Sequence, residues 1–138
     1  MADLLLEEPF STVPTVPTGH RHDQSAMKWL SCIVRPESLD AVKEALSQLP
    51  VGGMTITDVR GFGRQKGQVE HYRGGEYTVR FLPKIRIDIA VQAQDVDQVV
   101  TAISKAGRTG QVGDGKIFVC DLHDVMRIRT GEKGTIAL

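Results

Sequence analysis

One order of sequence patterns occurs twice along this 138-residue chain: an apolar β-branched run, an amphipathic run with helical spacing, then a second β-branched run. In the first pass, residues 28–35 (KWLSCIVR) read as a strand that Pro36 closes. Ser38 is placed to cap a helix whose Leu39, Val42, Leu46 and Leu49 share one face, and Pro50 with Gly52-Gly53 stops it. Residues 54–61 (MTITDVRG) alternate and read as the next strand. In the second pass, 84–91 (KIRIDIAV) form a strand, Val96, Val99, Val100 and Ile103 mark a helical face, and 116–120 form the last strand. Two βαβ units sharing one core predict an α+β, ferredoxin-like βαββαβ sandwich, with both helices on one face of a four-stranded sheet. The other face, expected to carry Ile, Val and Leu, needs a second surface to cover it, which predicts a homo-oligomer.

Composition narrows the function. At 41% hydrophobic and 25% charged residues, the chain has room for one core that needs no disulfide framework or structural metal. Seventeen Lys+Arg balance seventeen Asp+Glu, so no basic field draws it to nucleic acid or anionic membrane in general. Cys32 and Cys120 lie in the apolar runs 30–34 and 117–122, without zinc-like spacing, and read as buried thiols in a reducing compartment. No apolar run approaches the roughly 18 residues of a membrane span. The opening MADLLLEEPF lacks a basic region before its leucines and is cut short by Glu7-Glu8, so it is not read as a signal peptide and a cytoplasmic protein is expected.

Residues 1–26 hold Pro9, Pro14 and Pro17 and show no apolar periodicity, which predicts a flexible extension ahead of a domain spanning 27–138. Asp3, Glu7, Glu8 and Asp23 against Arg21 leave this extension three net negative charges, so the remainder of the balanced chain is mildly basic. His20 and His22 have no third metal ligand nearby, and Met27 is an alternative start.

The halves are joined by residues 62–83, far longer than an ordinary connection and containing Gly63, Gly67, Gly74 and Gly75. Arg64, Gln65, Lys66, Glu70, Tyr72, Arg73, Glu76, Tyr77 and Arg80 equip it for recognition, and it reads as the effector element.

Three motifs bear on chemistry. Gly110 to Lys116 (GQVGDGK) has the glycine spacing of a phosphate-binding P-loop, but Ile117 replaces the magnesium-binding hydroxyl and a strand follows instead of a helix. What survives is an anion nest at Gly113 and Gly115 beside Lys116, with a plain turn as the alternative. Arg127 and Arg129, two residues apart, share a face if their segment is extended, and paired guanidiniums suit phosphate; a solvated charged edge is the alternative. Gly61-Phe62-Gly63-Arg64-Gln65-Lys66-Gly67 lacks the third glycine of a dinucleotide fingerprint and no helix pattern follows it. No nucleophile, base and orienting group assemble around His71 or His123, so no catalytic set is displayed.

Six segments together carry a resemblance: 61–67 (GFGRQKG), 72–77 (YRGGEY), 81–84 (FLPK), 108–110 (RTG), 113–118 (GDGKIF) and 127–132 (RIRTGE). In this order they closely resemble the PII nitrogen-regulatory signal proteins, over residue 27 to the end of the chain. The resemblance implies a homotrimer of ferredoxin-like subunits, with ATP and ADP competing for clefts between neighbours and 2-oxoglutarate binding beside magnesium-ATP. Carried over, the nucleotide positions are Thr55, Gly61, Phe62, Gly63, Arg64, Gln65, Gly113, Asp114, Gly115, Lys116, Arg127 and Arg129. For 2-oxoglutarate they are Gln65, Lys66, Gly67, Lys84 and Gly113, with the Gln65 oxygen on Mg2+. Loop positions Tyr72, Arg73, Glu76 and Tyr77 would meet partners such as ammonium transporters, N-acetylglutamate kinase, or other nitrogen-metabolism enzymes and regulators. Membrane contact would come only through a transporter, and Tyr77 matches a tyrosine that similar proteins nucleotidylate.

Gly75 replaces a serine phosphorylated in cyanobacterial members, which excludes that modification. Glu37 stands where phenylalanine is usual and Arg80 where an acidic residue is more frequent. Two other function classes remain for comparison. An ATP-using enzyme would employ Lys116, Arg127 and Arg129 in phosphoryl transfer. An RNA-binding domain on the same frame would need aromatics on its central strands, taken here as 54–61 and 84–91, which have none.

Overall fold

A computed structural model of the protein describes residues 26–63, 70–71, 77–78 and 80–138. The repeated pattern becomes β1 (Met27–Val34), α1 (Leu39–Ser47), β2 (Thr55–Gly61), β3 (Glu70–His71), β4 (Tyr77–Thr78), β5 (Leu82–Gln92), α2 (Val96–Gly107) and β6 (Gly115–Asp121). The main sheet has the order β2-β5-β1-β6, with every neighbouring pair antiparallel. This is the ferredoxin-like arrangement expected from the two tandem units.

Alternation along the strands decides which side chains enter the core. Leu30, Cys32 and Val34 of β1 and Ile85, Ile87, Ile89 and Val91 of β5 face the helices, which supply Val42, Leu46, Val99 and Ile103. Each fully buried Leu or Ile stabilises the fold by about 1.5–3 kcal/mol. Both helices are entered in the same way: an extended residue, Arg35 or Gln92, precedes a 3-10 turn, Pro36–Ser38 or Ala93–Asp95, that runs into the helix. Ser38 therefore lies within the turn and its side chain makes no cap bond, contrary to the cap expected from sequence. Leu49 packs on the core after α1 has ended at Ser47.

Three other expectations are corrected. The central strands are β1 and β5, not β2 and β5, so Trp29 lies on a central strand and its side of the sheet is the one away from the helices. That open face is mixed, because Trp29, Ile33, Val59 and Phe118 surround a polar row of Lys84, Arg86 and Asp88 on β5. Cys120 is exposed, since β6 is an edge strand and alternation turns Cys120 to the open face; Cys32 alone is buried.

The long connection is not wholly irregular. Residues of β3 and β4 pair antiparallel within it, Glu70 opposite Thr78 and His71 opposite Tyr77, and β5 begins at Leu82, two residues before the strand read from sequence. Residues 1–25, Arg64, Gln65, Lys66, Gly67, Tyr72, Arg73 and Glu76 lie outside the described residues.

Candidate ligand cleft

The turn between α2 and β6 is organised by one carboxylate. Asp114 Oδ2 accepts hydrogen bonds from the backbone amides of Thr109 (2.8 Å) and Gly110 (2.9 Å). Its Oδ1 accepts from the Thr109 hydroxyl and from Arg35 Nε, the latter at 3.2 Å. The Thr109 hydroxyl, followed by the two amides and Arg35, holds the Asp114 carboxyl well below the usual carboxylate range. Arg35 also donates from Nη2 to the Val112 carbonyl at 2.8 Å, which ties the turn to the end of β1.

Glycine is obligatory at the exit of this turn. Gly115 has φ +108°, and a β-carbon there would stand 1.7 Å from the Ile33 carbonyl oxygen. Gly113, with φ +105°, places its carbonyl to accept a 2.7 Å hydrogen bond from Lys84 Nζ. Lys84 is only 8% exposed, and its pKa is lowered first by burial and then by the charge of Arg35. Across the cleft, Gly61 leaves room for the Lys84 stem, whose Cγ would be 3.3 Å from an added β-carbon. Phe62 and Phe81 meet edge-to-face at 6.2 Å between ring centres, joining the two arms of the long connection at their base.

These elements enclose an open cleft of about 810 Å³, lined by Gly61, Phe62, Gly63, Lys84, Gly113, Gly115 and Lys116, with Arg86, Val59 and Phe118 on its walls. Two ammonium groups, the guanidiniums of Arg60 and Arg86, the latter paired to Asp88 at 3.0 Å, and a turn with positive-φ glycines suit an anionic ligand bearing carboxylates or phosphates. Asp114 adjoins the cleft through the turn, but its oxygens are engaged within the turn and with Arg35.

The remaining expected residues lie elsewhere in the chain. Thr55 begins β2 opposite Asp88, six residues from Gly61, roughly 20 Å along the strand. Arg127 and Arg129 follow β6 and are not extended as expected: the Gly131 amide donates to the Arg127 carbonyl (2.8 Å) and the Arg127 amide to the Glu132 carbonyl (2.9 Å), forming a tight turn. Arg127 pairs with Glu132 at 3.0 Å and donates to the Ile136 carbonyl at 3.1 Å, while Arg129 is exposed. The C-terminal segment packs beside Gly52 and the far end of β5, where Leu138 approaches Gly52 and Gln92. The glycine turn and the arginines thus occupy opposite ends of one sheet.

Sequence reading missed Arg35, which was taken only as a strand end, and Arg86. Arg35 acts across 79 residues to Asp114, so no local spacing signals it, while Arg86 pairs with Asp88 on its own strand at 3.0 Å and lines the cleft only through where β5 lies in the sheet. Among the described residues no group of three His, Cys, Asp or Glu could hold a metal, and no helix is long and apolar enough to cross a membrane.

Comparison with known proteins adds the family. Residues 27–132 match the family model "Nitrogen regulatory protein P-II". Nitrogen regulatory protein GlnK of Escherichia coli (strain K12) is 53% identical over 112 residues, covering 81% of this chain and 100% of that protein. Nitrogen regulatory protein P-II of Synechocystis sp. is 55% identical over the same length and coverage. The crystal structure of Arabidopsis thaliana PII bound to citrate superposes with a TM-score of 0.68 at 37% identity, covering 83% of this chain and 94% of that one. With its fold, its glycine turn and its match across residues 27–132, the chain belongs to the nitrogen regulatory protein P-II family.

Proposed function

We propose that the protein is a regulatory sensor that binds ATP or ADP between subunits of a homotrimer and 2-oxoglutarate at the Lys84 end of the cleft. The observation that carries this reading is the separation of the anion-binding groups: Gly113, Gly115 and Lys116 at one end of the sheet, Thr55, Arg127 and Arg129 at the other. One subunit cannot close both around a single nucleotide, whereas a neighbour can bring its arginine end to the glycine turn. The mixed apolar and charged face of the sheet supplies a surface for that assembly.

Phosphates would lie on the amides of 113–116 and beside Lys116, with the neighbour's Arg127 and Arg129 closing the other side. Lys84 is suited to a carboxylate, and the citrate carried by the Arabidopsis relative is itself a polycarboxylate. Mg2+ would be held by the Gln65 oxygen and the ligand's own oxygens, as suits a cation that keeps phosphate and water ligands. Lys66 and Gly67 would add backbone contacts to 2-oxoglutarate.

Because such ligands touch the base of the connection at Gly61, Phe62, Gly63, Arg64 and Gln65, they bias which arrangement of Tyr72, Arg73, Glu76 and Tyr77 is presented. Partners of that loop would be an ammonium transporter, N-acetylglutamate kinase or another nitrogen-metabolism enzyme, with the protein itself cytoplasmic and Tyr77 the position of nucleotidylation. The protein acts by binding in this reading: the described residues near the cleft offer cations and amides, and the adjoining Asp114 carboxylate is engaged by Thr109, Gly110 and Arg35.

Calorimetric titration with 2-oxoglutarate, with and without magnesium-ATP, tests this. Binding only in the presence of magnesium-ATP is the expected result. ATP binding without any 2-oxoglutarate response would reduce the protein to an adenylate sensor, and failure to bind ATP would overturn the reading.

A further inference from the structure

Arg127 already grips an anion. Its Nη1 lies 3.0 Å from Glu132 Oε1, and its Nη2 donates to the Ile136 carbonyl at 3.1 Å. The pairing is built into the backbone. The Met126 to Lys133 bridge, the Arg127 amide on the Glu132 carbonyl and the Gly131 amide on the Arg127 carbonyl fold residues 126–133 into a closed turn. Gly131, with φ +74°, makes that turn possible. Both side chains are about one-third exposed, 37% and 35%, so the guanidinium is open to solvent ligands on one side while its fork is held on the other.

The Nη1 donor that binds the Glu132 carboxylate is one with which a guanidinium would bind phosphate, whereas Nη2 is engaged by the Ile136 and Leu138 carbonyls. We infer that Glu132 is an internal competitor for the nucleotide: it holds the Arg127 guanidinium and must release it before Arg127 closes on a polyphosphate. This rests on the nucleotide reading above and adds to it the residue that sets the affinity. The exchange limits the affinity gain from Arg127, since one ion pair is replaced by another. Glu132 then acts through Arg127 and is a positioning residue, not a ligand contact.

The sign of the effect separates this role from simple support of the turn. If Glu132 only stabilised the turn, its removal would weaken ATP binding; if it competes, removal strengthens it. ATP binding is to be measured calorimetrically on the full chain for wild type, Glu132→Gln, Arg127→Gln and the double variant. We expect Glu132→Gln to bind ATP about two- to fivefold more tightly, the range that corresponds to a partly exposed ion pair. The gain should vanish in the Arg127→Gln background, because the two residues act as one unit. Unchanged or weaker binding by Glu132→Gln, or a gain that persists without Arg127, overturns the inference while wild-type binding leaves the nucleotide reading intact. Absence of ATP binding by the wild type overturns both. Should Glu132→Gln fail to fold, Glu132→Asp, whose shorter side chain withdraws the carboxylate, is expected to bind ATP more tightly than wild type, and equal or weaker binding counts against the competitor.

Discussion

The ammonium of Lys84 donates a 2.7 Å hydrogen bond to the carbonyl oxygen of Gly113, joining the start of β5 to the turn between α2 and β6. This contact holds a buried cation in place in the lining of the cleft, and burial lowers its pKa. A carboxylate ligand arriving here meets a cation that is already positioned and partly stripped of water.

Lys84→Gln should therefore lose polycarboxylate binding selectively. Removing a charged, part-buried hydrogen-bond donor costs about 1.5–3 kcal/mol, which is on the order of ten- to a hundredfold in affinity. Calorimetry with 2-oxoglutarate in the presence of magnesium-ATP reads this directly, and ATP binding itself should change less.

Two glycines of the same turn should respond very differently to alanine. At Gly115 the added carbon meets the Ile33 carbonyl at 1.7 Å, so the turn must break from β1, and a loss on the order of 3 kcal/mol or more is expected. At Gly110, with φ +84°, an added carbon meets no atom within 4 Å, and only the cost of the left-handed backbone remains, about 1–2 kcal/mol. Thermal denaturation of Gly115→Ala and Gly110→Ala gives the comparison.

Acid should loosen the turn through Asp114. Its folded pKa lies below the unfolded value of 3.8, so its stabilisation is complete above that value and is lost as pH falls through it and below. Wild type should lose more thermal stability than Asp114→Asn between pH 5 and pH 3, each variant compared with its own value at pH 7.

The proposed division of the site between subunits of a homotrimer has its own test. Lys116→Ala and Arg127→Ala alter opposite ends of the sheet, and each should weaken ATP binding on its own. Mixed trimers of the two should recover near-normal affinity at those clefts where an intact glycine-turn end meets an intact arginine end. Recovery absent from mixed trimers would place both groups in one subunit's site.

Cys32 should resist alkylation in the folded protein. Burial first, and then the charge of Asp88, push its thiol up to about 11, so almost no thiolate is present near pH 8. Its labelling rate should rise to that of an ordinary thiol only when denaturant unfolds the chain, as followed by mass spectrometry.

The sequence by itself determined the elements and their packing faces. Leu30, Cys32 and Val34, then Ile85, Ile87 and Ile89, alternate at period two, while Val42 with Leu46 and Val99 with Ile103 keep helical spacing, so local periodicity alone names the core. The glycine turn was also legible, because Gly113 and Gly115 adopt backbone angles that few other residues tolerate. Tertiary structure decided what periodicity does not encode: that β1 is central and β6 lies at the edge, exposing Cys120, and that Arg35 reaches Asp114 across 79 residues. It also decided that Arg127 sits in a turn against Glu132, at the opposite end of the sheet from Lys116. Strand order and long-range ion pairs depend on how separate segments meet in space, and residues far apart in sequence carry no local signature of that meeting.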